Sequence, residues 1–251
     1  MLNEGYAINT VNRKLSCVRS FAGLAERAGV IPADDSRLIS TVAGYSRKEG
    51  RNVDADRPQK RRGYKKEKNV SLTLDQVREL KNQPDTPQGR RDAVIICVLA
   101  DQGLRVGELA ALQTSAFNLK EGTFTFYRQK VGITQTHEMT AQTARAIRAW
   151  LEQDANALGP LLRASRRGSD NLTHAGMTEQ SITRRVRELG RKIGVNGLGS
   201  HDLRHYWATD AAKSGTSIEI LISAGGWTGA GTALRYIDTG KIANKGIRQS
   251  R

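Results

Sequence analysis

Residues 200–209 read Ser200-His201-Asp202-Leu203-Arg204-His205-Tyr206-Trp207-Ala208-Thr209, with two histidines and an arginine inside five positions. The stretch has the form of a helix start. Ser200 is a suitable N-cap, and Leu203, Trp207 and Ala208 recur as an apolar stripe. His201 and Arg204 share a face at this spacing, and His205, one turn on from His201, joins it. A guanidinium forks onto two oxygens of a phosphate, and an imidazole beside it adds a hydrogen bond or moves a proton. On this stretch alone, a helix whose polar face is merely basic is an equal alternative. Asp202 is a candidate cap and is assigned no chemistry.

The composition narrows the choice of target. In 251 residues, lysine and arginine outnumber aspartate and glutamate by 40 to 25, a formal charge of +15. Such an excess points to a polyanion. Nucleic acid fits better than a membrane surface, because no strongly amphipathic basic helix stands out. No apolar run has the length of a membrane span and no signal-peptide pattern opens the chain, so the expected location is the cytoplasm. The two cysteines, Cys17 and Cys97, both lie in apolar helical stretches and read as buried thiols. The four histidines are scattered, with no HExxH, CxxC or carboxylate cluster. No metal and no cofactor are therefore expected. His137 and His174 read as structural.

The elements that must position these groups follow from periodicity. Ile8, Val11, Leu15, Val18, Ala22 and Ala25 predict an amphipathic helix over residues 7–28, stopped by Gly29. A second helix is predicted over 35–45. From Arg47 to Lys68 the pattern fails and Arg57, Lys60, Arg61, Arg62, Lys65, Lys66 and Lys68 accumulate. This reads as a basic linker that straps onto a DNA backbone, because clustered cations release counterions there. Helices follow over 74–81, 89–101 and 104–112. The helix over 89–101 is apolar on nearly every face and hence central, and Pro84 and Pro87 break the chain before it. Thr123 to Tyr127 is β-branched and aromatic, and 133–139 returns as its partner strand, with Lys130 near the turn. Further helices are predicted over 141–153, 178–194, from Ser200 and over 217–223. A Gly225-Gly226 break, Trp227 and a short helix holding Tyr236 come last. The fold class is mainly α with a small antiparallel β-sheet.

The order Gly103-Leu104-Arg105-Val106-Gly107-Glu108-Leu109, then Ser200-His201-Asp202-Leu203-Arg204-His205, then Gly225-Gly226-Trp227 leading to Arg235-Tyr236 resembles the tyrosine recombinases, the phage integrase family. The resemblance covers residues 70–240. It implies three parts: a helical DNA-gripping segment over 1–46, shorter than family members usually carry, a basic linker over 47–69, and a catalytic domain over 70–251. By the resemblance, Arg105 and Arg204 clamp the scissile phosphate, Glu108 steadies the site, and His201 bonds the phosphate or assists proton transfer. Lys130 protonates the leaving 5′-oxygen, Trp227 stands where many members have a second histidine, His205 supports, and Tyr236 is the nucleophile. No cofactor is implied.

The residues themselves leave alternatives. Arg105 can instead form a salt bridge to Glu108, three residues on. Trp227 can be a core tryptophan after a glycine pair; its indole N–H donates but does not titrate. Lys120 competes with Lys130, and Tyr206, Tyr127 and Tyr6 are other phenols. A phenol has a pKa of about 10 and needs cations and a proton acceptor to attack. The implied activity is site-specific DNA recombination through a 3′-phosphotyrosyl intermediate, without metal or ATP. The implied partners are double-stranded DNA sites and a homo-tetramer in the synaptic complex, with a monomer or dimer off DNA. The rivals are a type IB topoisomerase and a non-catalytic DNA-binding protein of the same fold.

Overall fold

The computed structural model describes residues 4–56, 69–154, 158–166, 171–234 and 236. The chain divides into a unit over Met1–Glu67 and a larger one over Lys68–Arg251.

The first unit has three helices, α1 (Ile8–Arg27), α2 (Ala33–Thr41) and α3 (Arg47–Asp56). Gly29, at φ 70°, ends α1. Its N–H bonds to Glu26 O at 2.9 Å while Val30 N–H reaches Ala25 O at 2.8 Å, the paired bonds by which a left-handed residue closes a helix. The Asn12 side chain holds the backbone of Tyr45 from both sides, accepting from its N–H at 3.0 Å and donating to its oxygen at 2.9 Å. Helix α3 occupies the first part of the segment expected as a linker. A reciprocal cap starts it: Ser46 N–H donates to Glu49 Oε2 at 2.8 Å, and Ser46 Oγ accepts from Glu49 N–H at 3.2 Å. The pair is a capping box written in the sequence, which the density of charge obscured. Arg57, Lys60, Arg61, Arg62, Lys65, Lys66 and Lys68 lie outside the described residues. Cys17 is exposed, contrary to the expectation of a buried thiol; Cys97 is buried. At helical spacing Cys17 falls on the side of α1 away from its buried residues, Ile8 and Ala22.

The second unit is built around α5 (Pro87–Asp101), in which Val94, Ile95, Ile96, Val98 and Leu99 are all fully buried. Pro87 begins this helix instead of breaking the chain, since proline at the first helical position gives up an N–H that has no intrahelical partner; Thr86 caps it by accepting from Gly89 N–H at 3.1 Å. Helix α4 (Leu74–Lys81) starts on a Thr73–Gln76 capping box. Around α5 stand α6 (Val106–Ala111), α7 (Ala141–Gln153), α8 (Glu179–Lys192) and α9 (Ser200–Lys213). A three-stranded antiparallel sheet has the order β1 (Phe117–Asn118), β2 (Thr123–Arg128), β3 (Ile133–Glu138). Its β2–β3 register runs from Thr123 opposite Glu138 to Arg128 opposite Ile133. A second antiparallel pair, β4 (Arg163–Ser165) and β5 (Leu172–Gly176), lies between the helices predicted over 141–153 and 178–194, where no strand is predicted. These strands are too short for alternation to register. Helices α10 (Ile218–Gly225) and α11 (Ala230–Ala233) follow.

Helix α9 starts one residue earlier than its sequence suggests. Gly199, not Ser200, is the N-cap. Asp202, buried, is the capping group: its Oδ2 accepts from Gly199 N–H at 2.7 Å, and its Oδ1 accepts from Val70 N–H at 3.1 Å.

Candidate active site

Helix α10 ends on four successive carbonyls, each taken by a different side chain. Ser223 O accepts from Gln135 Nε2 at 2.9 Å and Ala224 O from Arg128 Nη2 at 2.5 Å. Gly225 O accepts from Arg204 Nη2 at 2.6 Å and Gly226 O from Arg105 Nη2 at 2.9 Å. The last carbonyls of a helix have no intrahelical donor and carry the negative end of its dipole, so cations gather there. Gly226 permits the turn. It stands at φ 56°, and a Cβ on it would lie 2.5 Å from Arg128 Cδ.

Arg105 and Arg204 reach this point from distant segments. Arg105 is the N-cap of α6. Its Nη1 donates to Glu108 Oε1 at 2.8 Å and its backbone N–H to Glu108 Oε2 at 2.8 Å. The salt bridge and the second anchor on Gly226 coexist, so the ion pair holds the guanidinium in place at the wall of a cleft. Arg204, buried in α9, donates to Gly103 O as well as Gly225 O. Gly103 stands at φ 62°, and a Cβ there would come within 2.3 Å of the Trp207 ring. The Arg204 guanidinium also sits 5.2 Å from the Trp227 ring centroid, a cation–π contact. Burial, then the neighbouring charge of Arg105, lowers the Arg204 pKa to about 10, which leaves it protonated at neutral pH.

Glu108 is the shared anion. Besides Arg105 it accepts from Arg128 Nη1 on both oxygens, at 2.9 and 2.8 Å. Burial alone would raise its pKa, but the hydrogen bonds from Arg105 and the charges of Arg128 and Arg105 outweigh it and hold the carboxyl below its usual range. Arg128 is fully buried. Its Nε donates to Gln135 Oε1, and burial lowers its pKa against the pull of Glu108. Sequence reasoning missed Arg128. The available signal was an arginine at the inward-facing register of β2, where Phe124 and Phe126 are buried.

A cleft of 1040 Å³ is lined by Arg105, Lys130, His201, Arg204, Trp227 and Tyr236 together with Glu108. Its lining sets the guanidiniums of Arg105 and Arg204, with Lys130, against the carboxylates of Glu108 and Glu179, and Glu108 is already paired with Arg105, so the remaining cations favour an anion. His201 is exposed on the first turn of α9, while Arg204 is buried three residues on; both still face the cleft. Lys130 is exposed in the turn between β2 and β3. Lys120 lies in the β1–β2 turn, away from the residues that line the cleft.

Tyr236 lies three residues past α11 instead of within a helix, and is 8% exposed. Its ring stacks on Trp227, and His205 meets its edge at 4.7 Å between centroids. His205 is thus behind the phenol and not on the cleft wall with His201. Burial lowers the His205 pKa, opposed by Asp202. Of the other phenols, Tyr127 reaches the cleft, Tyr206 packs against the core, and Tyr6 lies under Lys14 in the first unit, 4.5 Å from its Nζ. His174 is exposed on β5. His137 packs edge-on to Phe126 at 4.9 Å between centroids, and burial, with the Arg128 charge, lowers its pKa to about 4.

Among the described residues no group of three or more His, Cys, Asp or Glu stands together to hold a metal ion, and no helix is long and apolar enough to cross a membrane.

The tyrosine recombinase XerC of Roseiflexus sp. (strain RS-1) is 26% identical over 242 residues, 92% of this chain and 68% of that protein. The tyrosine recombinase XerD of Ralstonia nicotianae (strain ATCC BAA-1114 / GMI1000) is 26% identical over 229 residues, 87% of this chain and 65% of that protein. The chain therefore spans about two thirds of the curated relatives it matches. The crystal structure of XerA recombinase superposes with a TM-score of 0.59 at 21% identity, covering 90% of this chain and 79% of that one, a likeness of fold. Residues 70–241 match the phage integrase family, and the chain belongs to that family, the tyrosine recombinases.

Proposed function

We propose that the protein is a site-specific DNA strand transferase that breaks and rejoins DNA through a covalent 3′-phosphotyrosyl intermediate, with neither metal nor ATP. The observation that carries this reading is the convergence of Arg105, Arg204, His201, Lys130 and Tyr236 on one cleft. Arg105 and Arg204 grip the non-bridging oxygens of the scissile phosphate and offset the charge that grows in the pentacoordinate transition state. Preorganised donors of this kind are worth about 3–4 kcal/mol each. The Tyr236 oxygen attacks phosphorus, its proton passing to His201 or to water, and the bond from phosphorus to the 5′-oxygen breaks. Lys130 delivers a proton to that oxygen. The phosphotyrosyl bond conserves the energy of the phosphodiester, so the attack of another 5′-hydroxyl reverses every step and releases the phenol. Trp227 places the phosphate without titrating. The partners are double-stranded recombination sites, the basic segment over 57–66 tracks the backbone, and the active assembly is a tetramer on two sites.

The test starts from the duplex sequence that the Tyr236→Phe variant enriches from a random pool. A supercoiled plasmid carrying two copies of that sequence is incubated with the wild type. Recombinant products support the reading. Relaxation of any plasmid without recombinants supports a type IB topoisomerase instead, and binding that leaves the topology unchanged supports a DNA-binding module.

A further inference from the structure

We infer that Arg128 and Gln135 form a latch that sets the position of the Lys130 hairpin against the tyrosine segment, making both of them positioning residues for DNA cleavage. The inference rests on the function proposed above and concerns residues that lie behind the cleft wall.

Lys130 occupies the turn between Arg128 and Ile133, which are paired in register. The turn closes on one atom: Arg128 O accepts from Val131 N–H at 3.1 Å and from Gly132 N–H at 2.8 Å. The base of the lysine's loop is therefore the backbone of Arg128. The side chain of the same residue runs inward and is fully buried. There it bonds Glu108, Gln135 and Ala224 O. Gln135, on the opposite strand, accepts from Arg128 through its oxygen and donates to Ser223 O through its nitrogen at 2.9 Å.

Two strands of the hairpin are thus fastened to the last turn of α10 by side chains that are also fastened to each other. Beyond that turn come Gly226 and then Trp227, on which Tyr236 stacks. Lysine and tyrosine sit on separate elements, and among the described side chains Arg128 and Gln135 are those that tie the hairpin to the α10 carbonyls. A buried, fully bonded arginine of this kind has a single geometry, because each lost bond would leave a buried polar group unpaired. A one-ångström misplacement of a proton donor is enough to slow a reaction by orders of magnitude.

A latch that acts through Lys130 makes a prediction that a general loss of stability does not. Protonation matters for an alkoxide leaving group and not for a thiolate, whose conjugate acid is far stronger. The experiment compares single-turnover formation of the covalent adduct on two nicked suicide duplexes of the selected sequence. One carries the normal 5′-bridging oxygen at the scissile phosphate and the other a 5′-bridging sulfur. Gln135→Leu breaks the latch while leaving the Arg128–Glu108 pair. Arg128→Lys tests the buried member, with circular dichroism to confirm that it folds.

The expected result is that Gln135→Leu slows oxygen cleavage by at least about tenfold and cleaves the sulfur duplex within about threefold of the wild type, as Lys130→Ala does more strongly. Oxygen cleavage by Gln135→Leu at the wild-type rate overturns the latch. So does an equal defect on both duplexes, which would mark the residue as structural only. No adduct from the wild type on either duplex overturns the proposed function itself, and the latch with it. Should Arg128→Lys not fold, Gln135→Leu alone decides.

Discussion

The Tyr236 ring lies on the Trp227 indole with centroids 5.3 Å apart and planes 16° apart. The same indole faces the Arg204 guanidinium at 5.2 Å. Trp227 is therefore both the floor beneath the phenol and a partner of a phosphate clamp. Trp227→Phe keeps a flat ring and loses the N–H, and is expected to slow single-turnover cleavage by about tenfold, the scale of one hydrogen bond. Trp227→Ala removes the floor as well and is expected to cost about 10²-fold or more. Quenched-flow gels of the covalent adduct measure both. Equal rates for the two variants would mean that the stack does not place the phenol.

Arg204→Lys keeps a cation but cannot fork between Gly103 O, Gly225 O and a phosphate. We expect cleavage to fall by about 10²–10³-fold, the range for removal of one preorganised donor. DNA binding should change far less, because backbone contacts elsewhere carry it. Gel-shift titration beside the cleavage assay checks the split. A parallel loss of binding and cleavage would mark Arg204 as a binding residue.

Glu108 lies between the Arg105 and Arg128 guanidiniums and is itself 9% exposed. Glu108→Gln leaves those cations close together with no anion. We expect a loss of about 3–5 kcal/mol of stability, the cost of breaking a buried pair from one side. Urea denaturation measures it. The carboxyl is held below its ordinary range, so its contribution is complete above the unfolded-state value of about 4.3 and is lost as pH falls through the lower folded-state value.

His137 adds a pH dependence in a separate window. Its folded-state pKa is about 4, against 6.5 for an ordinary histidine. Between these values the unfolded chain binds more protons, so stability rises with pH there, by at most about 1.4 kcal/mol per unit. His137→Leu should flatten the denaturation midpoint over that window. An unchanged slope would place the effect on another group.

The helices of the larger unit were legible because each buries one stripe or, for α5, every face, and period alone reports that. Thr73 and Ser217 cap α4 and α10 close to where periodicity put their starts, whereas α5, capped by Thr86, begins two residues ahead of the predicted start, because the Pro87 that follows Thr86 read as a break. The cleft residues were legible through their order in the chain. What escaped the sequence depends on partners far away. Arg128 beside Gln129 and Lys130 reads as one more surface cation. Its burial is decided by Ala224 O, brought in from 96 positions along the chain. The carbonyls that hold Arg105 and Arg204 are backbone atoms and leave no trace in residue type beyond the Gly225-Gly226 pair. Helix α3 was hidden by charge although Ser46 and Glu49 announce its start.

The central claim is that the Tyr236 oxygen becomes bonded to DNA. It is tested most directly by trapping the adduct on a nicked suicide duplex of the selected sequence, digesting the protein with trypsin and sequencing the nucleotide-bearing peptide by mass spectrometry. The account predicts a 3′-phosphate on Tyr236, a free 5′-hydroxyl on the other fragment, and no adduct from Tyr236→Phe. An adduct on another residue, one joined to the 5′ side of the break, or one that survives in Tyr236→Phe would contradict it.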